Sequence, residues 1–529
     1  MRPTSALITG LFTIALTASF GSTSGCSGSS SSHFGNNGDG GGSGSGGSGS
    51  GGSSGGLFGD DGGGSSGGSS GGGTAQCPSG AQCNVSCSGG GTTSISGVVY
   101  DPAQKNPLYN VEVYVPGGPL QALPAGVPTG SDACNCGALF KSGAVVSTAT
   151  GVDGSFKLTN APVGTAVPLV LQIGKWRRAI TVDTSKTSCA DAPQPDKSLY
   201  LPGTLQGAGP NDNMPDIAVS TGEADTLECL MRRIGIPDNE YVAGGGTSGH
   251  VHVFAGGEKG GGGGGGGGGT GVGRAETPGM SGAPVSSTSL WDSAAHLMPY
   301  DILLLSCEGG ETYDANPPAL ESYLNAGGRA FGSHFHYAWF AGPIGSKQNY
   351  SAPSDWGTNL ATWAADGTSG NGPIAGVVDQ TLNGSTAPFV KGEMLYQWLG
   401  LNNALGVNVT AHDLSIYQPR YNASVGAANK PSQPWITSGN NTMYFSFDTP
   451  IGGVPNPDGG APNYCGRAVF SDLHVAGDPT TNDTGDPPTG CGTGNLSPQE
   501  KALEFMLFDL SSCVIPDTVA PPDGGSILQ

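Results

Sequence analysis

Residues 27–73 are almost wholly glycine and serine, and this run separates a part of the chain that can fold from a part that cannot. A few aspartates and two apolar pairs, His33-Phe34 and Leu57-Phe58, interrupt it. Such a segment cannot bury enough apolar surface to offset the loss of backbone entropy. We therefore predict a disordered tether with a root-mean-square span of roughly 35–40 Å.

The whole chain is acidic and poor in charge, yet it has enough apolar residues for a core. Of the 529 residues 36% are hydrophobic and 12% are charged, and the net charge is -21. An acidic excess of this size excludes nucleic acid and anionic bilayer surfaces as electrostatic partners. The length indicates two or three domains once the tether is set aside.

The N-terminus indicates export. Arg2 precedes a mostly apolar stretch at 6–20, which is too short to span a bilayer and is typical of the hydrophobic region of a secretory signal. We assign residues 1–25 to a signal peptide. No later segment is predicted to cross a membrane, since apolar runs such as 302–305 are short enough to be buried strands.

A small residue followed by a cysteine, Gly25-Cys26, ends this signal. The pair resembles the lipobox of bacterial lipoproteins, in which the cysteine is acylated and becomes the first residue of the mature chain. Thr23 stands where that pattern prefers leucine. The resemblance implies a lipid-anchored protein with residues 26–73 as linker, and Ser27 then implies the outer membrane. An ordinary cleaved signal with an incidental cysteine is the alternative.

Cysteine usage is consistent with an exported chain. Setting Cys26 aside leaves eleven cysteines, and the first six can form up to three disulfides. A zinc site is the alternative for four of these six. Among the later five we predict a Cys465–Cys491 bridge and an unpaired Cys307. The first six are Cys77, Cys83, Cys87, Cys134, Cys136 and Cys189, and the zinc alternative takes Cys83, Cys87, Cys134 and Cys136.

After a cysteine-rich segment at 74–93, residues 94–204 alternate in the manner of short strands. Residues 94–101 and 111–115 are two such strands, and Asp153-Gly154 is typical of a tight turn. These features resemble the carboxypeptidase regulatory-like domain. The resemblance implies a small prealbumin-like β-sandwich that serves as a spacer or adhesive module.

Residues 214–515 alternate strands with helices, which predicts a parallel sheet with right-handed crossovers. We expect a disordered loop at 256–288, whose ten consecutive glycines lack the lysine and hydroxyl of a phosphate loop. The acidic stretches at 477–489 and 516–529 are expected to be solvated, the latter as a disordered tail. The expected strands are 216–219, 300–306, 329–332 and 466–471, and the expected helices are 226–234, 318–326 and 498–510.

Three polar segments follow strands of this sheet, at 306–311, 332–337 and 471–474, where ligands of parallel sheets bind. With the preceding 327–331 and 466–470, they resemble the trehalose-utilisation-type branch of the class I glutamine amidotransferase-like folds, which are flavodoxin-like. The whole chain also resembles myxobacterial surface lipoproteins that have no assigned activity.

The amidotransferase resemblance implies a cysteine nucleophile with a histidine base and a carboxylate that orients the base. It places Cys307 as nucleophile and His474 as base, with Glu308, Glu311 or Asp472 as the orienting group. The family turn has glycine on both sides of the cysteine. Leu305 replaces the first of these, whereas Gly309 keeps the second. A small buried hydrophobe or half of a disulfide is the alternative for Cys307.

His334 and His336 are two residues apart, so on an extended backbone both side chains would face one side. With Asp472 and His474 they could bind a metal ion. Packed, hydrogen-bonded histidines are the alternative, and no cofactor is expected. Several aromatic residues could line a sugar-stacking cleft or belong to the core. They are Trp339, Phe340, Trp356, Trp363 and Trp398.

The function expected from the sequence is that of a non-catalytic, lipid-anchored binding, display or adhesion protein. Its ligand would be a carbohydrate or a protein at the cell surface. An exported cysteine-dependent hydrolase or acyl transferase using Cys307 and His474 is the first alternative. A metal-dependent carbohydrate-active protein is the second.

Overall fold

The computed structural model describes residues 75–222, 224–256, 285–345, 348–365, 370, 372–455, 462–478, 483, 488–515 and 517. The predicted signal peptide, Cys26, the predicted linker and most of the predicted 256–288 loop and C-terminal tail lie outside these residues. In the described part of the chain, no helix is long and apolar enough to cross a membrane. The loop ends earlier than expected, since Ser286 bridges Ala255 and a helix begins at Thr288.

The chain is a mixed α/β protein with several sheets, and its first eight strands form two small sheets. One sheet has the order β4-β1-β7 with β8 also on β1, and the other has the order β3-β2-β5-β6. Burial alternates strictly along β4, whereas β2 is wholly buried because Tyr114 on its outer side packs against Phe140. The strands are β1 (Ser94–Tyr100), β2 (Glu112–Pro116), β3 (Ala144–Ala149), β4 (Ser155–Thr159), β5 (Val167–Ile173), β6 (Trp176–Val182), β7 (Asp191–Pro193) and β8 (Leu199–Tyr200).

A ten-stranded sheet follows, with the order β10-β11-β9-β12-β13-β20-β19-β18-β15-β16. The first six strands are parallel, as expected, and the last four are added antiparallel. Strands β14 and β17 pair separately. The strands are β9 (Ile217–Ser220), β10 (Tyr241–Ala243), β11 (Val251–Phe254), β12 (Ile302–Leu305), β13 (Arg329–Ser333), β14 (Thr362–Trp363), β15 (Ile374–Val378), β16 (Leu414–Ile416), β17 (Ala423–Ser424), β18 (Ser432–Ser438), β19 (Asn441–Thr449) and β20 (Gly466–Ser471).

The three expected helices are present with ends shifted by one residue or less. The last helix has a complete capping box, in which Ser497 accepts from the Glu500 N–H and Glu500 accepts from the Ser497 N–H. The helices are α1 (Leu227–Arg233), α2 (Thr288–Trp291), α3 (Ala294–Leu297), α4 (Pro317–Asn325), α5 (Tyr337–Ala341), α6 (Val390–Leu401) and α7 (Pro498–Ser511).

The small sheets and the large sheet belong to one compact unit. Helix α7 is packed against both, since Phe505 stacks on Tyr109 with ring centroids 5.8 Å apart and packs edge-on against Trp435 of β18 with centroids 6.4 Å apart. The Trp398 indole of α6 donates to the Pro107 carbonyl oxygen at 2.7 Å. The two segments expected as separate domains therefore share an apolar core.

Disulfides join segments that are remote in the sequence. Of the up to three disulfides expected among the six early cysteines, two are present, and the remaining two early cysteines pair with later ones. Both the Cys465–Cys491 bridge and the zinc alternative are wrong. The partners of the later cysteines depend on the tertiary fold. It brings together cysteines that are separated by 331 positions in one pair and by 377 positions in another. The disulfides of the described residues are Cys77–Cys83, Cys87–Cys189, Cys134–Cys465, Cys136–Cys513 and Cys229–Cys491.

Two described residues of the acidic stretches are not solvated. The Asp483 side chain is 6% exposed and pairs with Arg233 at 2.7 Å. Asp517 Oδ1 forms an ion pair with Arg467 Nη2 at 2.9 Å. The expectation of solvated segments is wrong at these positions, because each carboxylate neutralises a buried guanidinium.

Candidate functional site

The candidate site lies at the carboxyl ends of β12, β13 and β20, which are neighbours in the parallel part of the sheet. The register pairs Leu305 with Gly332 and Ser333 with Ser471, so the three strands end at the same level. The segments that follow carry Cys307, His334 and His474. The structure thus brings together the polar segments that the sequence placed after strands.

Three donor atoms from these segments meet. Cys307 Sγ lies 3.2 Å from His334 Nδ1, and the same nitrogen lies 2.9 Å from His474 Nε2. All three atoms lie within 4.8 Å of one another, and the three residues are buried. The sulfur therefore contacts His334 as its hydrogen-bonding histidine, whereas the expected base, His474, contacts that histidine.

His334 points into the cluster because of its backbone. It has φ of 44°, a left-handed value that is uncommon for a residue other than glycine, and it begins a 3-10 turn that leads from β13 into α5. A strained strand-to-helix turn is the position that the amidotransferase resemblance assigned to Cys307. In this chain the histidine occupies such a turn.

His336 faces elsewhere, so the expected pair of histidines on one face is wrong. Its Nδ1–H donates to the Ser333 carbonyl oxygen at 3.3 Å, and its Nε2 lies 3.8 Å from Glu308 Oε1. The expectation assumed an extended backbone, whereas residues His334–His336 form a turn.

An amide and a guanidinium, rather than a carboxylate, hold the His474 ring. Nδ1 of His474 lies 2.8 Å from Gln418 Oε1 and 3.1 Å from Arg420 Nη2. Burial first, and the Arg420 charge second, lower the pKa of His474 to about 3. Burial, with the neighbouring cationic groups, also holds the pKa of His334 well below its usual value. Both rings are therefore neutral.

Burial raises the pKa of the Cys307 thiol to about 12, although the backbone N–H groups of Phe335 and Gly309 act in the opposite direction. Cys307 is the free cysteine of the described residues, as expected. Its own N–H donates to Ser333 Oγ at 3.0 Å, which ties the end of β12 to the end of β13. The thiol is thus protonated at neutral pH, which is not the state of an activated nucleophile.

The carboxylates expected to orient His474 have other partners. Asp472 Oδ2 accepts from the Ala423 N–H at 2.8 Å, and burial raises the pKa of this carboxyl to about 7. Glu308 faces His336. Glu311 accepts from the Ile344 N–H at 2.8 Å and from the Tyr337 hydroxyl.

Gln418 and Arg420 were missed by the sequence analysis. They lie after the short strand β16 and reach the site from a distant part of the chain. Nothing in the sequence around them signals this role, because their contacts with His474 arise only when the antiparallel strands are added to the sheet.

The aromatic residues form part of the core and do not line a cleft. Trp339, Phe340 and Trp356 are at most 2% exposed. Trp363 packs edge-on against Phe470 with centroids 5.5 Å apart. Trp398 is 1% exposed and packs against Phe505 of α7 with centroids 5.6 Å apart. The burial of these aromatic side chains supports the interpretation that they belong to the core.

A second group of polar atoms lies where the strand order reverses, between β9 and β12, the usual place for a ligand in an open parallel sheet. Ser220 Oγ and Glu308 Oε1 are buried there without hydrogen-bond partners, and so is His336 Nε2. A Cβ on Gly256 would lie 2.2 Å from the Thr221 carbonyl oxygen, 2.8 Å from Ser220 Oγ and 3.1 Å from Glu308 Oε1, so only glycine allows the backbone to approach these groups this closely.

The arrangement of Cys307, His334 and His474 differs from a catalytic relay. A relay uses one ring nitrogen of the base toward the nucleophile and the other toward the orienting group. His334 presents Nδ1 to both neighbours, and its Nε2 has no hydrogen-bond partner. The same three residues are the ones that could hold a metal ion. Comparison of the chain with protein-family models, with curated proteins and with solved structures gave no match.

Proposed function

We propose that this chain is an exported lipoprotein of the cell envelope that acts by binding and display rather than by catalysis. The observation that carries the proposal is the set of five disulfides among the described residues. Disulfides form and persist in exported proteins and are rare in the reducing cytosol. Outside the cytosol, an acylated Cys26 would hold the chain on the outer membrane.

In this proposal, residues 94–204 are a carboxypeptidase regulatory-like, prealbumin-like module that serves as a spacer. Residues 214–515 are an amidotransferase-like, trehalose-utilisation-type platform. The two four-stranded sheets support the first assignment, and the six parallel strands with a strained turn after β13 support the second. The disulfides Cys134–Cys465 and Cys136–Cys513 join the two segments, so the platform and its spacer move together.

A binding role is favoured over the cysteine-dependent alternative by access and by geometry. Cys307 is 0% exposed, so a substrate cannot reach its sulfur in this conformation. Its histidine partner also uses a single nitrogen toward both neighbours. A hydrolytic cysteine needs an accessible thiolate and a base with two separate contacts.

The unpartnered atoms between β9 and β12 support a ligand that donates hydrogen bonds. Glu308 Oε1 is a carboxylate oxygen and accepts hydrogen bonds. His336 Nε2 is an acceptor too, because its Nδ1–H is donated to a carbonyl oxygen. Glu308 and His336 are 6% and 1% exposed, so only a ligand that opens the site could reach these two atoms. We propose a carbohydrate as that ligand, because its hydroxyl groups would satisfy both atoms.

Metabolic labelling with palmitate tests the anchor. We expect the full-length chain to be labelled and to fractionate with the outer membrane, and Cys26→Ser to be unlabelled. Cys307→Ser is the matched control, since it removes the other cysteine outside the disulfides and should keep the label. An unlabelled wild-type chain recovered inside the cell would contradict the proposal.

Alkylation of the native protein separates binding from cysteine-dependent catalysis. We expect Cys307 to resist a thiol reagent until the protein is denatured, because its side chain is buried. Rapid, stoichiometric alkylation of Cys307 in the native state would favour the hydrolase instead.

A further inference from the structure

We propose that Cys307, His334 and His474 bind one transition-metal ion of the zinc and copper class. This goes beyond the proposed display role, which needs no metal. One thiolate and two imidazoles form a ligand set for Zn²⁺ or copper, whereas Ca²⁺ and Mg²⁺ prefer oxygen.

The distances fit such an ion. Donor atoms bound to one tetrahedral zinc ion lie about 3.3–3.6 Å apart, given Zn–N bonds of about 2.0–2.1 Å and a Zn–S bond of about 2.3 Å. The two contacts of His334 Nδ1 are 3.2 Å to the sulfur and 2.9 Å to His474 Nε2. The sulfur and His474 Nε2 lie within 4.8 Å of each other. Side-chain rotations that widen the two contacts of His334 and bring this third pair to about 3.6 Å would place the three atoms around an ion.

Protons can make only one of the two contacts of His334 Nδ1 a full hydrogen bond. The Gln418 amide donates to the Gly477 carbonyl, which turns its oxygen toward His474 Nδ1 at 2.8 Å, closer than the Arg420 donor at 3.1 Å. With Gln418 as the partner of Nδ1, His474 Nε2 carries a lone pair. If His334 Nδ1 carries a hydrogen, it can donate that hydrogen to His474 Nε2. The nitrogen then has no lone pair to accept a hydrogen bond from the Cys307 thiol. If it carries none, it accepts from the thiol but faces the lone pair of His474 at 2.9 Å. A cation satisfies all three donor atoms at once.

The surroundings resemble those of a built metal site. A metal-binding histidine is normally oriented by a hydrogen bond from its other ring nitrogen, and Gln418 supplies this for His474. The strained turn at His334 aims the second ring, and Ser333 Oγ fixes the backbone of Cys307. Three elements that are remote in sequence thus present their ligands to one point.

Binding requires no redox step. The Cys307 thiol loses its proton to solvent, a sulfur–metal bond forms, and each histidine nitrogen donates its lone pair. Three protein ligands leave a fourth position on a tetrahedral ion. With ligand residues at most 4% exposed, the ion is held away from bulk water.

Metal analysis and cobalt substitution of the full mature chain test the proposal. We expect about one zinc or copper ion per chain after reloading with either metal alone, and a thiolate-to-cobalt charge-transfer band when Co²⁺ is used. Cys307→Ser should remove the band, and His474→Gln should abolish stoichiometric binding. Gln418→Leu should weaken binding by about 10–100-fold, as loss of an outer-shell partner does.

His336→Gln is the matched control, because His336 is as buried as the ligands but points away from the cluster. It should keep the ion and the band. The proposal is overturned if the wild-type chain binds no stoichiometric zinc or copper or gives no charge-transfer band with Co²⁺. Loss of the ion in His336→Gln, with retention in His474→Gln, would also overturn it. The cobalt spectrum is read on the wild-type chain, so it decides the matter even if a ligand variant fails to fold.

Discussion

Removal of the Cys136–Cys513 disulfide, by the double change Cys136→Ala and Cys513→Ala, tests how the two segments are held together. With Cys134–Cys465 intact, this second bridge still closes a ring of roughly 50 residues, and the chain-entropy relation gives about 4 kcal/mol for it. The Cys77–Cys83 bridge spans a sequence separation of 6 and should contribute about 2 kcal/mol by the same relation. Its removal is the matched control.

Urea unfolding of the mature chain, followed by tryptophan fluorescence with the other disulfides oxidised, measures both losses. Peptide mapping of the wild-type chain should first show Cys136 linked to Cys513. The reasoning is refuted if loss of the short bridge costs as much free energy of unfolding as loss of the long one. It is equally refuted if mapping finds Cys465 linked to Cys491.

Two further predictions concern buried charge. Burial, with the Asp101 charge second, holds the pKa of Glu504 well above its usual value of 4.5, so the folded state keeps a proton that the unfolded state releases. The associated stability is present below pH 4.5 and is lost as pH rises toward the folded-state pKa, by up to about 1.4 kcal/mol per pH unit. Glu504→Gln should flatten this slope in urea titrations from pH 5 to 8, and an unchanged slope would contradict the assignment. Arg233→Met should cost about 3–5 kcal/mol in the same assay, because it leaves the Glu500 carboxylate buried without its cation. Arg232→Met, at a side chain 20% exposed, should cost at most about 1 kcal/mol, and equal losses would refute the argument.

Local patterns predicted several elements well, because their causes lie within a few residues. Ser497, Pro498 and Glu500 start α7 where the sequence indicated, since a capping side chain satisfies N–H groups only three positions away. The apolar run of β12 and its place in a parallel sheet were also evident, because a strand covered on both faces has no polar side.

The candidate site was predicted only in outline. Polar segments after β12, β13 and β20 pointed to the correct edge of the sheet, and Cys307 was correctly left unpaired. The contacts within the site differ from the expected ones, since His334 rather than His474 lies beside the Cys307 sulfur. The positive φ of His334 depends on the packing around it, and no periodicity in the sequence signals such a turn.

Composition and short-range patterning account for the excess of acidic charge and for the strand-helix alternation that makes a parallel sheet. These follow from composition and from repeats of two to four residues, which act along the chain. The tertiary structure alone decided that Cys134 meets Cys465, that His334 rather than His474 contacts the sulfur, and that Gln418 holds the second ring. Such contacts join residues tens to hundreds of positions apart, and their geometry is set by how sheets and loops pack.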